Sequence, residues 1–277
     1  MRLIPALLIS GFFSIAWLNE SRLISARWRN VHSALSIFWA FTISANILLK
    51  LAQIISGSLS DVLADFAIVR TYLLQVRSGQ IFLFQLIFSL LLCAVIQLAR
   101  TRAQFQMLLL ATTLVLLPTA LTGHSGGRAY HQLAVTSWAV HITAITIWFA
   151  VVLSLFFKLF SSRGSSEIEI RKVSRISLLC FIATVVSGVV NTSTRMPNFY
   201  ALVHSEYGLI LLIKVMVFIL IGTLGGIYRL WLIPKLANTS NVFLKMISVE
   251  IFMMALSMMI GVILSQTPYP VVTIIAN

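Results

Sequence analysis

Apolar runs separated by short polar stretches recur along the whole chain. Eight can be traced, at roughly 3–18, 32–55, 80–99, 106–122, 132–157, 173–194, 208–232 and 246–265. Crossing the hydrocarbon core of a bilayer takes about 20 helical residues, and all but the first and fourth runs come close to that length. The pattern predicts an all-α polytopic membrane helix bundle of about eight transmembrane helices. Between the second and third runs, Leu59, Val62, Leu63, Phe66 and Val69 fall three and four residues apart. That spacing predicts an amphipathic helix lying on the membrane surface. The chain is expected to divide into helices one to three (1–104, with the surface segment 56–79), a four-helix core (105–240) and a last helix with its tail (241–277).

Composition agrees with the pattern: 59% of residues are hydrophobic, 10% are charged, and mean hydropathy is +0.99. A soluble domain carries about a quarter charged residues, so this chain cannot clothe a water-facing surface. The net charge of +13 is no nucleic-acid footprint, because the Lys and Arg residues sit in short loops between apolar runs. They also alternate. Arg22, Arg27 and Arg29, then Arg100 and Arg102, then Lys158, Arg163, Arg171 and Lys172, then Arg229, Lys235 and Lys245 mark every second connection. The intervening loops are poorer in positive charge, and the tail from Gln266 has none. The positive-inside bias places the Arg-rich loops in the cytoplasm and both termini outside. Arg2 followed by an apolar stretch also fits a cleaved leader, but removing that segment would invert every later loop. Cys93 and Cys180 each lie alone in an apolar run, as small buried hydrophobes do.

Three of the five histidines, His124, His131 and His141, fall within eighteen residues of one another. In the charge-derived orientation His124, His131 and His204 lie at the outer face. His141 lies about ten residues into its helix, roughly 15 Å deep. Imidazole is a common copper and zinc ligand that needs no buried charge in its neutral form. The outer three are candidate metal ligands, or else anchors of helix ends. His141, with Trp138, Ile145 and Trp148 at helical spacing, must bond a hydroxyl, hold a metal or meet water. Lys214 snorkels outward, pairs with Glu206 or lines an internal polar path together with Trp148. Met254 and Met258, one turn apart, and Met216 are soft side chains suited to Cu(I), although methionine is ordinary packing in such helices. Gly222 and Gly226 form a small-xxx-small pair that predicts close helix packing, and Glu250 is expected to face the interface or Lys245. No nucleophile elbow, zinc-protease motif, phosphate loop or paired intramembrane carboxylates appear, so no enzymatic activity is expected.

Several segments resemble the CopD/PcoD copper-resistance family. They are Gly123-His124, Ala139-Val140-His141 running into Ile147-Trp148-Phe149-Ala150, Val173-Ser174-Arg175-Ile176-Ser177 and Ser187-Gly188-Val189-Val190-Asn191. Tyr207-Gly208 through Lys214 and Tyr228-Arg229 complete the same order of elements. The likeness covers about residues 105 to 240; Phe149-Ala150 replaces the family's Gly-Gly, and the first quarter carries no legible family motif. The resemblance implies a multi-pass protein of the bacterial inner membrane that transports or delivers copper, as Cu(I) or Cu(II), beside a periplasmic copper carrier. It also implies that His124, His141 and Lys214 are the characteristic polar positions. Two other functions compete with it: a haem-binding electron carrier using His141, and a metal-free assembly factor for a copper oxidase.

Overall fold

The computed structural model of the chain describes residues 3–18, 25–118, 131–160, 167–196, 198–227, 230, 240–268 and 270. The described secondary structure is helical, and six helices are long and apolar enough to cross a membrane. The protein is an all-α, multi-pass membrane protein. It divides into two compact units, residues Met1–His131 and Gln132–Asn277.

In the first unit α1 (Leu3–Phe13) runs into a π-helical turn (Ser14–Leu18), so the first apolar run forms a short helix. The long α2 (Ala26–Ile54) packs along α5 (Arg77–Leu98), and α6 (Arg102–Leu114) packs on α1. Where water cannot satisfy them, small polar side chains bond the neighbouring backbone. Ser36 donates to the Ser89 carbonyl at 2.6 Å and Ser33 to that of Cys93 at 3.1 Å, pinning α2 to α5. His32 is buried against Trp28, its ring 3.6 Å away in a stack, and donates from Nδ1 to the Trp28 carbonyl. A Cβ on Gly11 would fall 1.7 Å from His32 Nε2, so glycine there makes room for the ring. Cys93 and Cys180 are both free thiols.

The surface segment forms two short helices, α3 (Leu59–Ala64) and α4 (Phe66–Gln75), rather than one. Asp65 breaks them: its backbone is extended, and its carboxylate caps α4 by accepting from Ala67 N–H. Ser58 and Asp61 close a reciprocal capping box at the start of α3. Of the apolar stripe, Val62 is buried while Leu59, Leu63 and Phe66 project outward. Bonds from the Ser58 N–H and hydroxyl hold the Asp61 carboxyl below its usual range. A depressed carboxyl stabilises at neutral pH and is lost as pH falls through its folded value. Ser58→Ala should therefore fray α3 at neutral pH, read as faster amide exchange at Asp61 and Val62, and the difference should shrink in strong acid.

The second unit holds α7 (His131–Phe160), α8 (Glu167–Ser193), α9 (Phe199–His204), α10 (Glu206–Ile227) and α11 (Ser240–Gln266). α10 packs directly along α11. α7 and α8 are joined through side chains: Ser137 to Asn191, His141 to Ser187, and the Lys158–Glu169 ion pair at the other end. Bridging by side chains leaves space between the helices, and that space holds the site.

Candidate functional site

Four positions on one stripe of α7, Trp138, His141, Ile145 and Trp148, line a cavity of about 590 Å³ within the second unit. Thr184, Gly188 and Asn191 on α8, Lys214 on α10 and Met254 on α11 close around it. The walls are mainly apolar with few polar groups, the usual composition of a ligand site.

His141 is buried, and its Nδ1 lies 3.0 Å from Ser187 Oγ. The Ser187 hydroxyl has one proton, and its shortest bond, 2.5 Å, goes to the Ala183 carbonyl. Its oxygen therefore accepts from His141 Nδ1–H. In the neutral ring this bond places the proton on Nδ1 and leaves the lone pair on Nε2. Fixing a ring in this way is how outer partners orient a metal-binding histidine. Gly188 supports the same ring: a Cβ there would make ordinary contact, 3.5 Å, with Cε1. Trp138 stacks on His141 with centroids 5.8 Å apart, and the Arg195 guanidinium lies 5.0 Å over Trp138.

One turn after Ser187 on α8, Asn191 accepts from Ser137 at 3.0 Å, while its buried Nδ2 has no partner among the described residues. Lys214 lines the cavity with its ammonium close to α11, 3.2 Å from where a Cβ on Gly261 would lie. Met254 is buried on the same cavity, whereas Met216 is exposed.

Trp148 closes the far end. Its indole meets Phe181 and Phe218 edge-on, with centroids 5.6 and 5.8 Å away, and those two rings stack at 4.9 Å. Beyond this aromatic cluster lies a second cavity of about 150 Å³, and Trp148, Phe181 and Ile221 line both. Glu250 is buried in the second one, at 5% exposure. This corrects the expectation that Glu250 faces the interface or Lys245; its neighbour is the Trp148 indole. Gly222 lets the Phe181 ring lie against α10, since a Cβ there would sit 2.9 Å from the ring. A Cβ on Gly226 would meet nothing within 4 Å among the described residues. Only half of the small-residue pair is used for packing.

Of the remaining candidates, His124 lies outside the described residues. His131 is the first residue of α7, and its side chain is outside them too. His204 is exposed at the end of α9, stacked on Tyr200 at 3.9 Å, and is not among the residues lining the cavity. Among the described residues no group of three or more His, Cys, Asp or Glu could hold a metal. Sequence reasoning passed over Ser187 as a partner of His141, and Asn191 with Ser137. The Ser-Gly-x-x-Asn spacing was the only signal, because a partner on another helix leaves no trace in local periodicity.

Two family models match the chain. One, described as copper resistance protein D, matches residues 169–264. The other, described as the N-terminal domain of copper resistance protein D-like proteins, matches residues 3–130, including the first quarter in which no motif is legible. His124 falls in the N-terminal match and His204 and Lys214 in the other, whereas His131 and His141 lie between them. No curated protein and no solved structure matches the chain.

Proposed function

Because this chain belongs to the copper resistance protein D family, we propose that it carries copper across the bilayer through the cavity at His141. The observation that supports this most is the imidazole itself. His141 is buried in a helix long enough to span, is oriented by Ser187, and shares its cavity with the Met254 thioether. An imidazole lone pair and a thioether are soft donors that favour Cu(I). Two such groups, with Lys214 and Arg195 adding positive charge to the same cavity, hold a cation weakly. A conducting site needs that property, since an ion must leave as readily as it enters. The alternating loop charges orient the His141 cavity toward the outside, where His124, His131 and His204 would collect copper from a soluble carrier. The membrane in question is the bacterial inner membrane.

The direct test is reconstitution. Purified protein in liposomes should admit Cu(I) to a trapped copper indicator faster than protein-free liposomes do. No difference between the two, with the protein folded, would remove the transport reading. A Soret band on the purified protein would instead make His141 a haem ligand.

A further inference from the structure

The second cavity is chemically unlike the first. Among the described residues Glu250 is its only titratable lining residue, contributed by α11; the groups facing it from α7, α8 and α10 are apolar side chains, glycines, Ser174, Ser177 and the Trp148 indole. Toward the adjoining ends of α7 and α8, Lys158 and Glu169 pair with each other, and Lys172, Arg175 and Lys245, on the same stretches of α8 and α11, are not among the lining residues. Two buried polar atoms on the cavity wall, Trp148 Nε1 and Ser177 Oγ, lack hydrogen-bond partners among the described residues. The indole of Trp148, 4% exposed, lies beside the Glu250 carboxyl. An indole N–H beside a carboxyl, and a hydroxyl without a partner among the described residues, around 150 Å³ of space describe a chamber built for water and a small cation, since dry cavities are apolar. Copper is a poor occupant: a single hard carboxylate without imidazole or sulfur does not compete for Cu(I). An intramembrane carboxyl with no described counter-ion is, by its chemistry, a proton carrier.

We propose that Glu250 and its chamber form a proton-binding site that couples copper movement through the His141 cavity to counter-movement of a proton. The proposal rests on the transport reading above. In the releasing step the Glu250 O–H bond breaks heterolytically; the electron pair stays on the carboxylate, and the proton passes to water in the chamber. Reprotonation reverses it, and nothing is oxidised or reduced. Trp148 and Phe181 of the Trp148–Phe181–Phe218 cluster line both cavities, so a proton and a copper ion occupy neighbouring chambers that share aromatic walls. Exchange of Cu(I) for one proton moves no net charge, which removes the electrical cost of transferring a lone cation.

The experiment uses the full chain in liposomes with Cu(I) as the probe and trapped indicators for copper and for pH. For wild-type protein, copper entry should be accompanied by proton exit. Each unit of imposed pH difference should change the final copper ratio about tenfold for one-for-one exchange. Glu250→Gln should keep copper binding at the His141 cavity and lose the dependence on the pH difference; Glu250→Asp should restore part of it. Copper entry by wild-type protein that is indifferent to the pH difference would overturn the coupling while leaving the transport reading intact. A folded Glu250→Gln variant that keeps the dependence would remove Glu250 from it. No copper entry in wild type, with the protein folded, would remove the transport reading and the coupling together.

Discussion

His141→Ala is expected to abolish protein-dependent copper accumulation in cells and to remove copper binding by the purified protein. Among the described residues the side chain supplies the only imidazole on the cavity, and its Nδ1–H is already committed to Ser187. That bond keeps Nε2 as the nitrogen with the lone pair. Ser187→Ala leaves the imidazole in place but removes the group that orients it, so copper affinity should fall roughly 10- to 100-fold, as for other outer partners of metal-binding histidines. His141→Ala should exceed that loss. His141→Asn separates ligation from packing: its amide can still donate toward Ser187, yet it is a poor copper ligand. Full copper accumulation with His141→Asn would make His141 a buried hydrogen-bonding residue and take it out of the path.

The second large effect concerns two corners of the fold. Gly208 and Gly79 are each the third residue of a long helix, α10 and α5, that follows a short one. A Cβ on Gly208 would lie 2.1 Å from the Leu202 carbonyl oxygen, and one on Gly79 would lie 2.0 Å from that of Tyr72. Both obstacles are backbone, which cannot swing aside as a side chain can. Gly208→Ala and Gly79→Ala should each cost about 1–3 kcal/mol through forced backbone shifts, seen as a lower unfolding temperature or lost expression. Gly226→Ala is the control. A Cβ there would meet nothing within 4 Å among the described residues, and alanine exceeds glycine in a helix by about 1 kcal/mol, so the variant should match or exceed wild type in stability. Equal losses at Gly208 and Gly226 would contradict the steric account. The same contact explains the Tyr207-Gly208 element: Tyr207 is buried at 3% exposure and Gly208 turns α9 into α10.

Much of the protein was legible from one dimension. Long apolar runs punctuated by basic residues require helices in lipid, because a backbone in hydrocarbon must satisfy its own hydrogen bonds. The six spanning helices follow from that. Helical spacing placed Trp138, His141, Ile145 and Trp148 on one stripe, and all four line one cavity. Short-range caps were readable in principle too; Ser58 and Asp61 stand at capping-box spacing, yet the longer apolar stripe suggested one helix where Asp65 makes two.

Which stripe meets which was beyond periodicity. In lipid every face of a helix is apolar, so hydrophobicity does not choose the partner, and small polar groups and close steric fits decide instead. Hence Ser187 as the mate of His141, Asn191 as the mate of Ser137, and Gly222 as the seat of Phe181 emerge only from the packed unit. Glu250 shows the same limit: its place near the end of the last helix suggested that it faces the interface or Lys245, while packing turned it inward to Trp148. The sequence by itself determined that this is a helical membrane protein with a histidine set deep in a span. Only the tertiary structure decided that the histidine opens on one chamber and a carboxyl on another, with Trp148 and Phe181 in the walls of both, because distances across helices arise from packing and not from order along the chain.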